Sequence, residues 1–238
     1  MTPAVLEITG VSKDFRGLRP LRIQHLTVAH AEQVAIVPFD QPSAEVFVNM
    51  VTGATLPDAG TVSLFGRSTA AIADSDDWLA VVDRFGIVSA RAVLLDQLDV
   101  IQNLAMPFTL EVEPPAADIR ARATRLAAEV GLVERAWARP VGELDVASRA
   151  RVRLARALAL DPGVLLLEHA SAGLDREAGT AFGAAVRAIA ADRGIALIAV
   201  TADETFASSV AARVLTWEPA TGRLTDRPRR GWFGRRLG

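Results

Sequence analysis

The sequence predicts an α/β fold built on a mainly parallel sheet, with a helical insertion in the middle of the chain. Short apolar runs typical of buried strands occur toward both ends, at 33–37, 164–167 and 195–200. Between roughly 100 and 160 the apolar residues recur at helical spacing instead. Buried strands separated by helices favour parallel pairing, because each parallel crossover needs a connection as long as a helix.

The first 90 residues predict five strands and one helix. The strands are expected at 6–9, 21–23, 33–37, 61–65 and 86–88. Gly17 and Pro20 break the chain between the first two strands. After the third strand, 38–42 is loop-like, and helical spacing then predicts a helix over 43–52 that Gly53 ends.

The second half predicts helices interrupted by prolines. Pro114-Pro115 and Pro140 break the helical stretch, and 149–159 is its clearest helix, because apolar residues recur at helical spacing beside an arginine face. The remaining elements are a buried strand at 164–167, a helix at 176–191, a buried strand at 195–200 and an edge strand at 214–217.

Composition excludes several kinds of chemistry. The chain has no cysteine, which excludes disulfides, cysteine-ligated zinc and a thiol nucleophile. Its single lysine is Lys13, so no reaction can use a lysine later in the chain. The formal charge is −2 although the last twelve residues hold five arginines, so a uniformly basic surface for nucleic acid is not indicated. The absence of a long apolar run and of signal-peptide features favours a cytoplasmic protein.

Four segments carry a resemblance to a known family. They are VTGATLPDAGTVSLFG at 51–66, LLDQLDVIQNLAMPF at 94–108, RVRLARALALDPGVLLLE at 151–168 and ASAGLD at 170–175. In this order and spacing the chain resembles the ATP-binding subunits of ABC transporters over nearly its whole length. The resemblance implies a P-loop NTPase-like core with an N-terminal antiparallel β subdomain and a helical subdomain inserted at roughly 90–160. It also implies one nucleotide-binding domain over 1–226, followed by a basic tail over 227–238.

The family's phosphate-binding loop is strongly altered. Its pattern G-x-x-x-x-G-K-[ST] wraps phosphates with backbone amides, while the lysine neutralises them and the hydroxyl residue binds magnesium. Here the glycines are replaced by Pro38 and Ser43, the lysine by Ala44 and the hydroxyl residue by Glu45. Pro42 removes a further amide donor. We expect the carboxylates of Asp40 and Glu45 to meet the positive helix start in place of a phosphate.

The family's other motifs are altered as well. The Q-loop glutamine aligns with Ala90, the switch histidine with Ala202, the Walker B aspartate with Glu168, the catalytic glutamate with His169, and the LSGGQ signature with Leu144, Asp145, Val146, Ala147 and Ser148. Two features are retained, an aromatic residue at the adenine-stacking position, Phe15, and the D-loop aspartate, Asp175. The family binds ATP and magnesium at these positions. Because of the replacements we expect no functional catalytic residue, no metal ligand, and neither ATP nor magnesium as a cofactor in this chain.

Several residues have two interpretations. Glu168 and His169 could form an acid-base pair, since histidine titrates near neutral pH, but a remnant of the scaffold is favoured because the residues that would assist them are replaced. Phe15 could stack on adenine, although a packing role is favoured. The arginines 149, 151, 153 and 156 could bind an anion, yet they resemble a solvated helix face.

Two segments are candidates for contact with a partner. In the family the membrane subunit docks around the Q-loop and the helical lobe, which here gives Leu94, Leu95, Leu98 and Met106; ordinary core packing is the alternative. In the tail, Trp232 and Phe233 lie between arginine pairs, a composition that suits a membrane interface or an unstructured terminus.

The favoured function is that of a degenerate ABC-type subunit with ATP hydrolysis lost or severely impaired. Such a subunit would dock on a transmembrane permease at the inner face of the cell membrane, as a homodimer or as a heterodimer with another ABC subunit. One alternative is a functional ABC ATPase with unusual motifs. Another is a module that binds an anion or a small molecule through the arginine face and the altered nucleotide pocket.

Overall fold

The computed structural model describes residues 4–227, so the predicted tail lies outside the described residues except for Arg227. The strands are β1 (Ala4–Lys13), β2 (Leu21–Ala29), β3 (Gln33–Val37), β4 (Ala59–Leu64), β5 (Arg67–Ser68), β6 (Phe85–Ser89), β7 (Val164–Glu168), β8 (Ala196–Val200), β9 (Arg213–Glu218) and β10 (Arg223–Asp226). The helices are α1 (Gln41–Val51), α2 (Ser75–Val82), α3 (Val100–Ala105), α4 (Ala117–Glu129), α5 (Val146–Leu158), α6 (Arg176–Asp192) and α7 (Glu204–Val210).

The larger sheet has six strands in the order β10-β9-β3-β8-β7-β6. The five strands from β9 to β6 run parallel to one another, and β10 pairs antiparallel with β9. This confirms the predicted α/β class and its mainly parallel sheet. The prediction of an edge strand at 214–217 was wrong, because β10, which the sequence analysis missed, covers that side of β9.

The smaller sheet is antiparallel, with the order β2-β1-β4-β5. Buried side chains from opposite faces of the six-stranded sheet enter two separate apolar clusters. Val34 and Ile36 of β3 pack toward the small sheet and α1, whereas Ala35 and Val37 pack toward the helices. This alternation along one strand explains why 33–37 is apolar throughout: both faces of the strand are buried.

Three helices, α3 to α5, occupy the stretch predicted to be mostly helical. α5 begins three residues before the predicted start, and α1 begins at Gln41, two residues before the predicted 43. α2 and α7 were not predicted from the sequence. Within residues 4–227, none of the helices combines the length and the apolar character needed to cross a bilayer.

Candidate functional site

The altered phosphate loop connects β3 to α1, and its first helical turn is capped from within the chain. The Asp40 carboxylate accepts a hydrogen bond from the Ser43 backbone amide at 2.8 Å. Pro42 lies in the first turn and has no amide to donate. The prediction that an acid satisfies this helix start is therefore confirmed for Asp40. Ala44, at the lysine position, is fully buried in the apolar cluster under the small sheet.

Glu45 behaves differently from the prediction. It does not cap the helix start but forms an ion pair with Arg91, with 3.0 Å between Oε1 and a guanidinium nitrogen. The same guanidinium pairs with Glu168 Oε2 at 2.8 Å through its other terminal nitrogen. Arg91 thus bridges the positions of the family's magnesium-binding hydroxyl residue and Walker B carboxylate. The expectation that Glu45 meets the helix terminus was wrong, because an arginine lies within reach.

Glu168 is the most deeply buried acid of this cluster. Its side chain is 1% exposed, whereas those of Arg91 and Glu45 are about half exposed, at 48% and 47%. The second carboxylate oxygen of Glu168 accepts a hydrogen bond from Gln41 Nε2 at 2.5 Å. Each oxygen of the buried carboxylate therefore has a partner, which offsets the large cost of burying a charge. We call Gln41, Glu45, Arg91 and Glu168 the internal ion-pair cluster.

The cluster also fixes the charge state of its arginine. The hydrogen bond to Glu168 raises the pKa of Arg91 above its ordinary value, and the charges of Glu168 and Glu45 raise it further against the opposing effect of burial. Arg91 is therefore protonated at neutral pH, as arginine is in proteins generally. Its charge is shared by two carboxylates of the same chain.

Sequence reasoning missed Arg91 and Gln41. The position of Arg91 follows from strand register, which the structure supplies and the sequence alone did not. β6 and β7 are parallel neighbours with Ser89 opposite Glu168, so a basic residue two positions beyond Ser89 lies beside the carboxylate. Gln41 lies inside the altered phosphate loop, where only the replaced family positions were considered.

His169, at the catalytic glutamate position, has an unusual backbone. Its φ of 44° lies in the left-handed region, which non-glycine residues adopt rarely. Its amide donates to the Val200 carbonyl at 3.0 Å, while its buried Nε2 has no hydrogen-bond partner among the described residues. Within residues 4–227 no hydrogen bond joins it to Glu168, whose oxygens are occupied by Gln41 and Arg91. The favoured reading of Glu168 and His169 as a scaffold remnant stays a prediction.

The remaining motif positions hold small side chains or residues that pack in the core or cap a helix. Ala90 and Ala202 are exposed and bring only methyl groups to the ends of β6 and β8. In the signature segment, Leu144 is buried and Val146 is half exposed, while Ala147 and Ser148 lie in the first turn of α5. Asp145 caps that helix by accepting the Ser148 amide at 2.6 Å, a contact that lowers the pKa of Asp145. The signature acid therefore binds its own helix start.

The two retained residues have structural contacts of their own. Asp175 caps α6 by accepting the Ala178 amide at 2.8 Å. Phe15 packs against the apolar cluster of the small sheet, and Gly17 lies so close that an added Cβ would be 2.6 Å from the Phe15 ring. Its own loop therefore covers part of the ring. Its packing role remains a prediction.

The arginine face of α5 is not the solvated surface that the sequence suggested. All four side chains are only partly exposed, and each donates to a backbone carbonyl, Arg149 to Val141, Arg151 to Val130, Arg153 to Ala92 and Arg156 to Val93. Arg149 also pairs with Asp96 at 2.8 Å. The contacts with Ala92, Val93 and Asp96 attach α5 to the segment that follows β6, whereas Arg151 reaches the end of α4. The prediction of a solvated face was wrong because that segment folds over the helix.

The predicted partner-contact residues divide into two groups. Leu94 is 6% exposed and belongs to the core, which agrees with the alternative of ordinary core packing. Leu95 is 41% exposed, and Leu98 and Met106 are partly exposed. Across residues 4–227 there is no group of three or more acidic or histidine side chains arranged to hold a metal ion.

Comparison with known proteins places this geometry in context. A sequence model of the ABC transporter family matches residues 46–172. The chain is 29% identical over 226 residues to the methionine import ATP-binding protein MetN of Leifsonia xyli, covering 94% of this chain and 65% of that protein. It is 30% identical to the lipoprotein-releasing system ATP-binding protein LolD of Myxococcus xanthus, covering 89% and 95%. The chain thus spans less than two thirds of MetN but nearly all of LolD.

A solved structure supports the fold. The cbiO1 protein of Clostridium perfringens, described as part of the ABC transporter complex cbiONQ, superimposes with a TM-score of 0.77 at 19% sequence identity, over 94% of this chain and 87% of that one. The match of the family model extends over more than half of the chain. The chain therefore belongs to the ABC transporter family, as a member with the fold of its ATP-binding domain.

Proposed function

We propose that this chain is an ABC-type subunit in which ATP hydrolysis is lost or severely impaired. The observation that carries the proposal is Arg91, which binds Glu45 and Glu168 together. In the family these two positions would share a magnesium ion. Here a guanidinium of the chain itself occupies the space between them. We therefore expect neither ATP nor magnesium as a cofactor.

The phosphate side of the site supports the same proposal. A nucleotide phosphate would meet Asp40 at the start of α1, with its carboxylate already on the Ser43 amide. A like-charge contact at about 4 Å costs about 4 kcal/mol at an effective dielectric constant of about 20. No lysine offsets it, because the only lysine of the chain is Lys13. The residues present thus do not suit a magnesium-bound nucleotide.

Partnership with a second ABC subunit does not remove this difficulty. In the family, a composite site combines the phosphate loop of one subunit with the signature of the other. This chain has an altered phosphate loop and an altered signature, in which Asp145 places a carboxylate where phosphate would lie. A homodimer would therefore lack an intact site, and a heterodimer would receive a defective signature from this chain.

The proposed role is to dock on a transmembrane permease as a structural or regulatory subunit, peripheral at the inner face of the membrane. Family membership supports a partner of this kind. Leu95, in the segment after β6, is 41% exposed and supports docking at this segment. The names of the relatives differ, one being a methionine importer and another a lipoprotein-releasing system. We therefore assign no transported substrate.

A working ABC ATPase with unusual residues is the second candidate. It is favoured by the relatives, which are named ATP-binding proteins, and by the carboxylate retained at Glu168. A third candidate, a module that binds an anion or a small molecule, depends only on the arginines of α5.

An ATPase assay separates the first two candidates. Phosphate release is measured from the purified full chain, alone and with its permease in lipid nanodiscs, beside Glu168→Gln and His169→Ala variants. We expect release at the background rate and no change in either variant, since contaminating activity would not respond to them. Turnover that Glu168→Gln or His169→Ala abolishes would overturn the proposal in favour of a working ATPase.

A further inference from the structure

A pocket of about 280 Å³ lies between the turn that joins β4 to β5, helix α2 and the residue before β6. None of the internal ion-pair cluster lines it, so the two sites use different residues. Its volume is just below the roughly 300 Å³ at which pockets for drug-sized ligands begin, which suits a smaller molecule. The residues that define its chemistry are Leu64, Phe65, Ser68, Ile72, Val81 and Arg84.

The backbone is strained where the turn meets the pocket. Phe65 and Gly66 form a two-residue turn, since Leu64 pairs with Arg67 across it, and their φ angles are 49° and 82°. A hairpin turn with two positive φ angles favours asparagine or aspartate before the glycine, because larger side chains are strained there. Strain of this kind is characteristic of binding sites. Here it belongs to an aromatic residue that lines the pocket.

Arg84 lies on the face of the same aromatic ring. Its guanidinium carbon is 3.2 Å from the centroid of the Phe65 ring. Stacking occupies one face of the planar group and leaves its N–H edge free. In the part of the chain that the structure describes, this edge has neither a hydrogen-bond acceptor nor a carboxylate within 4.0 Å, in contrast to Arg67, which pairs with Asp77. Arg84 is exposed, so a ligand can reach it.

The charge of Arg84 is not balanced within the pocket. The other two charged residues that line it, Arg67 and Asp77, neutralise each other through two hydrogen bonds. Asp77 also accepts the Ala73 amide at 3.0 Å, and the hydrogen bond from Arg67 lowers the pKa of Asp77. Asp83, the chain neighbour of Arg84, does not line the pocket. The pocket therefore carries one net positive charge.

Ser68 supplies a second donor. Its Oγ accepts the Ala70 amide at 3.3 Å, while its hydroxyl hydrogen has no acceptor within residues 4–227. A hydroxyl can donate and accept at the same time. The edge of Arg84 and the hydroxyl of Ser68 both favour an anionic group, and the remaining lining is largely apolar. An apolar pocket with a few placed polar groups is the usual composition of a small-molecule site.

We propose that this pocket binds a small monocarboxylate with an aromatic or branched aliphatic body. The carboxylate matches the planar fork of the Arg84 guanidinium, and the body packs against Phe65, Ile72 and Val81. A free amino acid fits less well, because the acid lining the pocket, Asp77, is already bound by Arg67. The inference depends neither on docking nor on the loss of ATP hydrolysis.

Calorimetric titration of the full chain tests the proposal with two probes, 3-phenylpropanoate and 4-methylpentanoate. We expect a Kd of about 1 mM or below for at least one of them. 3-Phenylpropanamide keeps the aromatic body and removes the charge, whereas acetate keeps the charge and removes the body. Each should bind at least about tenfold more weakly than the preferred probe, because each loses one of the two sets of contacts.

Two variants test the contacts themselves. Arg84→Gln should weaken binding of the preferred probe about tenfold or more. The matched control is Arg122→Gln, since Arg122 is also exposed and stacks on a phenylalanine ring, that of Phe108, at 3.7 Å. Ala80→Leu should abolish binding, because Ala80 lines the pocket and a larger side chain would fill it while Arg84 stays in place. Circular dichroism and thermal unfolding verify that each variant is folded.

Amide chemical shifts of the isotope-labelled full chain locate the bound probe. We expect the largest changes at Ser68, Ala80 and Arg84, which line the pocket. Failure of both carboxylates to saturate the chain below about 10 mM would overturn the inference. Equal affinities of Arg84→Gln and Arg122→Gln, or shift changes confined to other parts of the chain, would overturn it as well. Equal affinity for the amide and the carboxylate would contradict the assignment of an anionic ligand.

Discussion

Arg91 places its guanidinium between two carboxylates that come from different parts of the chain. Glu45 lies on α1 and Glu168 ends β7, so the arginine joins the altered phosphate loop to the central sheet. A buried carboxylate such as Glu168 is tolerated only when it is paired, and Arg91 together with Gln41 supplies its partners. On the proposed function, this contact takes the place of the ion that the family would hold here.

This pairing predicts a loss of stability when Arg91 is removed. Arg91→Met leaves Glu168 buried with Gln41 as its remaining partner, and we expect the free energy of unfolding to fall by about 2 kcal/mol. That figure is below the roughly 3–5 kcal/mol for a fully buried pair because Arg91 is half exposed. Chemical denaturation measures it, and the double variant Arg91→Met/Glu168→Gln should recover part of the loss. Equal losses in Arg91→Met and Arg223→Met would contradict the prediction.

The replaced motif residues could be found from the sequence because each falls at a defined place in a long pattern. The partners of those residues could not be found in this way. Glu45 was expected to meet the helix start because helix dipoles attract acids, but a direct ion pair with Arg91 is stronger than that attraction. Which acid an arginine reaches depends on strand register, and the sequence alone did not supply that register.

At the level of elements, aspartate caps six of the seven helices described between residues 4 and 227. The capping residues are Asp40, Asp74, Asp99, Asp145, Asp175 and Asp203. Two of them stand at helix starts where the family would bind nucleotide phosphate. Capping by a side chain of the chain itself satisfies the same amide donors that a phosphate would need.

The cap of α5 has a pH dependence that can be tested. Asp145→Ala should lower the free energy of unfolding by about 1 kcal/mol at pH 7. Because the Ser148 amide lowers the pKa of Asp145, this contribution is complete above the unfolded value near 3.8 and is lost as pH falls through the lower folded value. Urea unfolding between pH 7 and pH 2.5 should therefore show a difference that shrinks below pH 3.8. Asp192→Ala, at the far end of α6, is the control, and a difference independent of pH would contradict the assignment.

Strand β6 approaches α5 so closely that only glycine fits at one position. A Cβ on Gly86 would lie 2.2 Å from the Ala157 carbonyl oxygen, so the backbone would have to move. We expect Gly86→Ala to destabilise the protein by about 3 kcal/mol, the upper end of overpacking costs. The control is Gly163→Ala, where the nearest atom lies at 3.6 Å. Equal midpoints of thermal unfolding in the two variants would contradict this packing.

The buried strands β3, β7 and β8 and the helices α1, α5 and α6 were predicted within three residues, whereas β1 and β2 run four and six residues past their predicted ends. The misses have physical causes. α2 contains no buried residue and α7 has only seven residues, so neither gives a clear periodic signal. Three of the four residues of β10 are polar, and the strand forms by pairing with β9, which its own sequence does not indicate.

For the whole molecule, the proposed function means that the fold is kept while the chemistry of the site has changed. The two apolar clusters on the faces of the six-stranded sheet preserve the ABC transporter architecture, which depends on hydrophobic pattern and tolerates many sequences. Nucleotide binding depends on a few groups at fixed places, and the chain offers acids, alanines and an internal arginine there. Stability of the fold therefore does not require that the site work.

Isothermal titration calorimetry of magnesium-ATP into the purified full chain tests this central claim most directly. The account predicts no saturable heat corresponding to a Kd below about 1 mM, and the same result with magnesium-ADP. The ATP-binding domain of a relative with an intact phosphate loop, titrated under the same conditions, verifies that binding would be seen. A saturable isotherm near one nucleotide per chain, weakened by Phe15→Ala, would contradict the account and make this chain a nucleotide-binding subunit.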